Sequence, residues 1–150
     1  MDPASIAALI GLCASIIRNA ANFVSGLDNA INRIKDAKLD ITTLRNHCEL
    51  LQLASGRLRA RLESDGSRLK EGERQFILGA LDTCDQLLDK LNKLVQKCSR
   101  ADGLGPPDDK SPGLRKIIRF ICSQPQLSKY EKAVQTQLNS VNVIVQTLYL

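Results

Sequence analysis

Residues 77–98 read ILGALDTCDQLLDKLNKLVQKC. Apolar residues recur there in alternating steps of three and four, at Ile77, Ala80, Cys84, Leu87, Leu91, Leu94 and Cys98. This is the spacing of one face of an α-helix, and three further residues widen the stripe: Leu81, Leu88 and Val95. The pattern predicts a helix that packs along its whole length against other helices.

Two segments before this stretch show the same period. Asp2 and Pro3 form a typical helix start, and the first helix continues past a soft point at residues 25–26. A second helix of about 24 residues is predicted from an Asp40 cap to a stop before residues 64–66. Its stripe consists of Ile41, Leu44, Cys48, Leu51, Leu58 and Leu62.

The segment after the central helix contains a loop and a last helix. Residues 99–113 combine Gly, Pro and charged residues without a period, which predicts a loop. A short helix over residues 114–122 follows, and Pro125 interrupts it. The last helix, capped by Ser123 or Ser128, has one apolar face: Leu127, Tyr130, Val134, Leu138, Val141, Val145 and Leu148.

Four long amphipathic segments without a competing period-2 pattern predict an all-α fold. We expect an antiparallel four-helix-type bundle with a short extra helix after the Gly/Pro loop. The composition agrees, since 43% of residues are hydrophobic and only 3% are aromatic, which indicates an aliphatic core. We expect residues 1–150 to form a single domain, and the absence of a helix-stop signal near residue 150 suggests the N-terminal domain of a longer protein.

Catalytic chemistry has few candidates in this sequence. His47 is the only histidine, and neighbours on a helix point about 100° apart, so His47 and Cys48 do not make a nucleophile pair. No Cys or His pair has zinc-ligand spacing, and no Glu-x-x-His motif is present. The Gly/Pro loop lacks a phosphate-binding pattern. We therefore predict a protein that is not an enzyme and has no catalytic residue, metal site or cofactor.

The cysteines and the N-terminus indicate a location. The chain has five cysteines without a CxxC pair, and each lies in an apolar stretch, at Cys13, Cys48, Cys84, Cys98 and Cys122. Such thiols behave as small hydrophobes, so we predict reduced core cysteines in an intracellular protein. No basic residue precedes Arg18, and a secretory signal is therefore not expected.

The net charge of +5 is concentrated in residues 57–150, which hold sixteen basic and eleven acidic residues. Such an excess suits a lipid surface or nucleic acid, and it is also typical of an ordinary solvated helix surface. No nucleic-acid module and no aromatic residues interleaved with the cations are present, so we predict no specific nucleic-acid partner. The candidate contacts to anionic lipid are Arg57, Arg59, Arg61, Arg115, Lys116 and Arg119.

The first helix is apolar on all sides. Residues 3–17 carry no charge, and such a helix is either buried in a core or inserted in lipid. Fifteen residues reach only roughly 22 Å of a roughly 30 Å hydrocarbon core, whereas the run to Leu27, with Arg18 snorkelling, is long enough to span. Burial in the resting bundle and insertion are compatible as two states. The candidate membrane-inserting residues are Ile6, Leu9, Ile10, Leu12, Ile16 and Ile17.

Residues 1–12, MDPASIAALIGL, resemble the opening of the fungal HeLo-like domain. This is the N-terminal domain of many fungal STAND (NACHT-type NTPase) proteins and of related cell-death effectors. The likeness extends to the Leu-rich third helix, the Gly/Pro loop, the basic and apolar segment LRKIIRF at residues 114–120, and the last helix. It implies a bundle similar to the N-terminal bundle of the mixed-lineage kinase-like pseudokinase and to the helical domains of plant resistance proteins.

The resemblance also implies a function. It suggests a membrane-targeting effector domain of fungal programmed cell death, allorecognition and innate immunity, which self-associates on activation and forms pores by inserting its N-terminal helix. It implies a cytoplasmic protein that relocates to the plasma membrane, with a C-terminal NTPase or signalling module in the same chain. The alternative is a non-lytic adaptor or oligomerisation domain of a STAND signalling protein.

Overall fold

The computed structural model describes residues 5–33, 38–103 and 124–149. These residues form four long helices: α1 (Ile6–Arg33), α2 (Lys38–Asp65), α3 (Glu71–Gly103) and α4 (Gln124–Tyr149). A 3₁₀ turn (Gly66–Arg68) lies between α2 and α3. The part of the chain described here contains no strand, and the predicted all-α bundle is confirmed.

The four helices surround one core. α1 packs against α2 and α3, and α4 packs against the same two helices, so α1 and α4 lie across the core from each other. Ile6, the first residue of α1, lies against Gly66, which directly follows the last residue of α2. α1 and α2 are therefore antiparallel, as expected for helices joined by a short connection.

Contacts between α1 and α3 show that these two neighbours run in the same direction. Ser15 is hydrogen bonded to Asp85, and further along both helices Asn19 is hydrogen bonded to Asn92. α2 and α4 are parallel as well, because His47 lies beside Glu131 and, further along both helices, Arg61 is hydrogen bonded to the Leu148 carbonyl. Each helix is antiparallel to the next helix along the chain. α2 and α3 lie on one diagonal of the bundle, and α1 and α4 lie on the other.

The core is almost entirely aliphatic, as the composition predicts. Phe23 is the one aromatic residue among the buried hydrophobic side chains of the described residues. The largest fully buried side chains are Leu9, Ile16, Leu44, Leu51, Leu58, Leu62, Leu81, Leu88, Leu91, Val134 and Val141. All of these residues belong to the predicted stripes of α2, α3 and α4 or to one face of α1. Three residues of the predicted α3 stripe, Ala80, Leu87 and Leu94, are half-buried at the edge of the core. Removing a buried leucine from such a core typically costs about 2–5 kcal/mol.

The start of α1 differs from the prediction. The helix begins at Ile6, and the Ser5 hydroxyl oxygen accepts a hydrogen bond from the Ala8 backbone N–H at 3.2 Å. Ser5 is therefore the N-cap, because its oxygen satisfies a donor that has no partner within the helix. The predicted start at Asp2 and Pro3 is wrong, and residues 1–4 lie outside the described residues. The predicted continuation past residues 25–26 is confirmed.

The predicted boundaries of α2 and α3 also need correction. α2 begins at Lys38, so Asp40 lies in its first turn and is not its cap. α3 continues to Gly103, five residues into the predicted loop over residues 99–113. Residues 99–102 contain neither Gly nor Pro, and α3 therefore extends to the first residue that disfavours a helix.

α4 begins at Gln124, so Ser128 lies inside the helix and the prediction of a Ser128 cap is wrong. Ser123 lies outside the described residues, as does the short helix predicted over residues 114–122. Pro125 occupies the second position of α4, where a backbone N–H has no partner within the helix, so the proline is tolerated. The predicted apolar face of α4 is confirmed, with Val134 and Val141 fully buried.

The contact between Ile6 and the turn predicts opposite effects for two glycine substitutions. A Cβ at Gly66 would lie 2.9 Å from Ile6 Cγ2, whereas a Cβ at Gly11 meets nothing within 4 Å. We expect Gly66→Ala to displace Ile6 and to lower the free energy of unfolding by about 1 kcal/mol or more. Gly11→Ala, the matched control, should raise it by about 0.5–1 kcal/mol.

Urea denaturation followed by circular dichroism measures both changes. If Gly66→Ala stabilised the protein as much as Gly11→Ala does, Ile6 would not be packed against the turn.

Candidate functional site

The six side chains of α1 that are predicted to enter a membrane differ in how deeply they are buried in the bundle. Leu9 and Ile16 are fully buried in the core. The other four are half-buried at its edge: Ile6, Ile10, Leu12 and Ile17. In this structure α1 is therefore a docked helix of the bundle.

The outward face of α1 is made of small or polar residues. Its exposed positions are Ala7, Gly11, Arg18, Asn22 and Ser25. The stretch Ile6–Asp28 comprises 23 residues and is long and apolar enough to cross a membrane. A window of 18 residues within it has a mean hydropathy of 1.5, and 28% of that window is buried. At about 1.5 Å per residue it reaches roughly 34 Å. Core helices of soluble proteins also reach this length and composition.

Polar contacts join α1 to α3 at the middle of the bundle. Asp85 Oδ1 accepts a hydrogen bond from the Ser15 hydroxyl at 2.8 Å and another from the Asn19 side-chain amide at 2.9 Å. The Asn92 side-chain amide donates to the Asn19 backbone carbonyl at 2.9 Å. We call these four residues the α1–α3 seam. All four are half-buried, so their bonds are partly shielded from water.

An ion pair joins the other side of α1 to α2. Arg45 binds Asp28 of α1 through its Nε and binds Glu49 of its own helix at 3.1 Å through Nη2. The hydrogen bond to Asp28 raises the pKa of Arg45 above its ordinary value. α1 is thus held by polar contacts on both flanks in addition to its apolar stripe.

The three described arginines among the predicted lipid contacts have different surroundings. Arg59 pairs with Glu63 at 3.2 Å. Arg61 donates from Nε and Nη2 to the Leu148 backbone carbonyl, at 3.2 and 3.1 Å, and so links α2 to the end of α4. Arg57 is exposed and has no ion pair within the described part of the chain. The remaining predicted contacts lie outside the described residues: Arg115, Lys116 and Arg119.

Two exposed leucines of α2 lie beside Arg57 and were not among the predicted site residues. Leu50 is 49% exposed and Leu53 is 62% exposed. Together with Arg57 they follow a spacing of three and four, which places all three on one face of α2, and we call them the α2 outer stripe. Leu53 and Arg57 also line a shallow depression that reaches Ile17 of α1. Their spacing, out of phase with the buried stripe, is the sequence signal that would have identified them.

A second apolar surface lies between α3 and α4. Phe76 is 70% exposed and Val143 is 58% exposed. They border a groove of about 280 Å³, here called the α3–α4 groove, whose other apolar lining residues include Ile77, Ile144 and Leu148. Exposed large apolar side chains around a groove are typical of a surface that contacts a partner.

The described cysteines are unreactive because they are buried in the core. Cys13, Cys48 and Cys84 are free and buried, as predicted. Burial raises the pKa of each thiol from 9.0 to about 12, because a thiolate is poorly solvated in an apolar core. Protonated thiols are weak nucleophiles. The other two cysteines are at positions whose side chains are not described, Cys98 and Cys122.

His47 contributes to the contact between α2 and α4. Its Nδ1 lies 4.0 Å from Glu131 Oε1, while Cys48 is buried in the core, so the two neighbours point in different directions as predicted. No group of three or more His, Cys, Asp or Glu side chains that is able to hold a metal ion occurs among residues 5–33, 38–103 and 124–149.

Comparison of the chain with family models, with curated proteins and with solved structures finds no match. The resemblance to the HeLo-like domain accordingly rests on the residues quoted above. The geometry of α1 and the surfaces beside it therefore provide the evidence for a function.

The raised thiol pKa values predict a loss of stability at high pH. In the unfolded chain the thiols ionise near pH 9, whereas in the folded protein they stay protonated to about pH 12. The folded state therefore binds more protons between these values, and the free energy of unfolding falls as the pH rises through this window. Below pH 9 the thiols cause no change.

Urea titrations at pH 8 and pH 10.5 test this, and Cys84→Ala is the control because lysines and tyrosines also titrate in this range. The variant should lose less stability between the two pH values than the wild-type protein. An equal loss in both proteins would show that the Cys84 thiol is not shielded from solvent in the folded state.

Proposed function

We propose that this domain is a membrane-targeting effector that binds an anionic membrane surface, self-associates and inserts α1. The observation that carries the proposal is the dual character of α1. It is long and apolar enough to cross a membrane, and it is a peripheral helix of the bundle with an exposed face of small residues. A helix at one corner of a bundle can leave without passing through the core.

The α2 outer stripe supports a first contact with lipid. Leu50 and Leu53 are apolar and exposed, and Arg57, one helical turn further along α2, offers a cation to an anionic headgroup. Leucines entering the interface and a basic residue at headgroup level are the combination found on membrane-binding surfaces. Because the depression beside Arg57 reaches Ile17, this contact would bring α1 to the bilayer.

The energetics support a switch near balance. Six large aliphatic side chains offer on the order of 10 kcal/mol when they are transferred from water to lipid. Leu9 and Ile16 already obtain that gain in the core, and the other four obtain part of it. The net driving force for insertion is therefore small, and an activating partner or self-association is needed to shift the equilibrium.

The resemblance to the HeLo-like domain gives this proposal a biological setting. It would make the domain an executioner in fungal programmed cell death or allorecognition, active at the plasma membrane after release from a cytoplasmic resting state. An NTPase or signalling module in the same chain would supply the trigger and bring several copies together.

A non-lytic oligomerisation domain is the second candidate function, and the α3–α4 groove favours it. This surface presents a projecting aromatic ring, Phe76, directly beside an apolar groove. A surface with both a projection and a recess suits a second copy of itself. In this alternative the bundle associates through the groove, and α1 stays docked throughout.

Ile10→Trp tests insertion, because the chain has no tryptophan. Ile10 is half-buried on α1, and the larger indole costs about 1–3 kcal/mol if the site is tight. On vesicles containing anionic lipid with brominated acyl chains, we expect strong quenching of the indole. Acrylamide in the aqueous phase should then not reach it.

Gln75→Trp, at an exposed position of α3, is the matched control and should stay accessible to acrylamide on the same vesicles. If the protein sediments with vesicles while the indole at position 10 is not quenched by bromine, α1 stays in the bundle. That result would favour the oligomerisation domain.

Arginine substitutions test the lipid contact. Arg57→Gln should weaken binding to anionic vesicles and reduce its dependence on salt, because Arg57 has no competing ion pair in the described structure. Arg59→Gln, which removes a side chain already paired with Glu63, should have a smaller effect. Vesicle sedimentation at two salt concentrations measures both, and equal effects of the two substitutions would exclude the α2 outer stripe as the contact.

A further inference from the structure

We propose that Asp85 is an autoinhibitory latch that keeps α1 docked on α3 through its hydrogen bonds to Ser15 and Asn19. The inference rests on the proposed function, since a latch is needed only if α1 leaves the bundle. It assigns the regulation of α1 to the α1–α3 seam.

The geometry of the seam is specific to one position of α1. A single carboxylate oxygen, Asp85 Oδ1, accepts from Ser15 at 2.8 Å and from Asn19 at 2.9 Å. Ser15 and Asn19 are four residues apart and therefore lie on one face of α1. Asn92, two turns beyond Asp85 on α3, holds the Asn19 backbone carbonyl at 2.9 Å. A shift of α1 by one turn would break all three bonds.

The seam adds to the apolar packing polar contacts that lipid cannot replace. Leu9 and Ile16 are removed from water both in the core and in lipid, so their transfer between the two changes the free energy little. The bonds to Asp85 exist only while α1 lies on α3. Hydrogen bonds to a charged group are stronger than those between neutral groups, which makes Asp85 the main selective contact along this interface.

The Ser15 hydroxyl can still be hydrogen bonded after α1 has left the bundle. Other hydroxyl side chains in this protein donate to the carbonyl four residues earlier in their own helix, as Thr83 and Thr136 do at 2.9 and 2.8 Å. Ser15 can make the same bond within α1 when the helix is in lipid. Asp85 remains on α3, in water, where its charge is solvated. Opening the latch thus leaves no buried unpaired charge.

The test uses Asp85→Ala with Asp82→Ala as the matched control. Asp82 is exposed on the same helix, and among the described residues it accepts a hydrogen bond from Gln86 of its own helix alone. Amide hydrogen exchange in solution, followed by mass spectrometry, reports each helix separately. We expect exchange in α1 to rise about tenfold or more in Asp85→Ala relative to the exchange of α4, because the bonds to a charged group are lost. Asp82→Ala should leave the pattern unchanged.

Ser15→Ala is the second variant, since removing one hydroxyl leaves the Asn19 bond and should preserve folding. It should raise α1 exchange by a smaller factor, and it should have no further effect when added to Asp85→Ala. Equal acceleration in all four helices, no acceleration in α1, or an additive effect of the two substitutions would each overturn the latch.

Leakage of dye from anionic vesicles separates the latch from the proposed function. Faster α1 exchange together with increased leakage in Asp85→Ala supports both. Faster α1 exchange without increased leakage shows that Asp85 holds α1 on α3, but rejects membrane insertion as the function and with it the autoinhibitory role of that contact. Leakage that increases without any change in α1 exchange rejects the latch.

Discussion

The burial of one apolar stripe of α1 against α2 and α3 is the contact on which the rest of the structure depends. Leu9, Cys13 and Ile16 are completely inaccessible to solvent. They belong to one cluster with Leu51 and Leu58 of α2, Leu81 and Leu88 of α3, and Val141 of α4. The core has almost no aromatic residues, so no single large side chain holds it together. Its stability comes from many small contacts distributed over the four helices.

Polar contacts decide how α1 lies within this packing. Aliphatic side chains can be exchanged between neighbouring grooves at small cost, whereas hydrogen bonds require matching donors and acceptors. Asp85 on one side of α1 and Arg45 on the other supply these matches. Under the proposed function the same bonds would be lost when α1 entered a membrane, so the contacts that give the bundle a unique arrangement would also oppose insertion.

The packing of the helices decides which residues beside α1 are available to a partner. Arg57, Leu50 and Leu53 form an exposed stripe whose neighbour is the helix with membrane-spanning length. Arg59 and Arg61 have the same charge, yet their contacts with Glu63 and the Leu148 carbonyl serve the bundle itself. A basic residue is available to a partner only where the fold leaves it without an internal one.

The helical class, the aliphatic core and the buried faces of α2, α3 and α4 could be predicted from periodicity alone, because each helix must hide its apolar stripe. The apolar character of α1 was likewise visible in its residues. Helix ends were less predictable: Ser5 caps α1 although Asp2 and Pro3 resembled a start, because several polar residues near a boundary can serve as a cap. Which arginines face solvent, and that Asp85 meets Ser15 seventy residues away in the chain, depended on the packing of the helices. Periodicity within one helix identifies the face to be buried, but the partner of that face is set by the other helices.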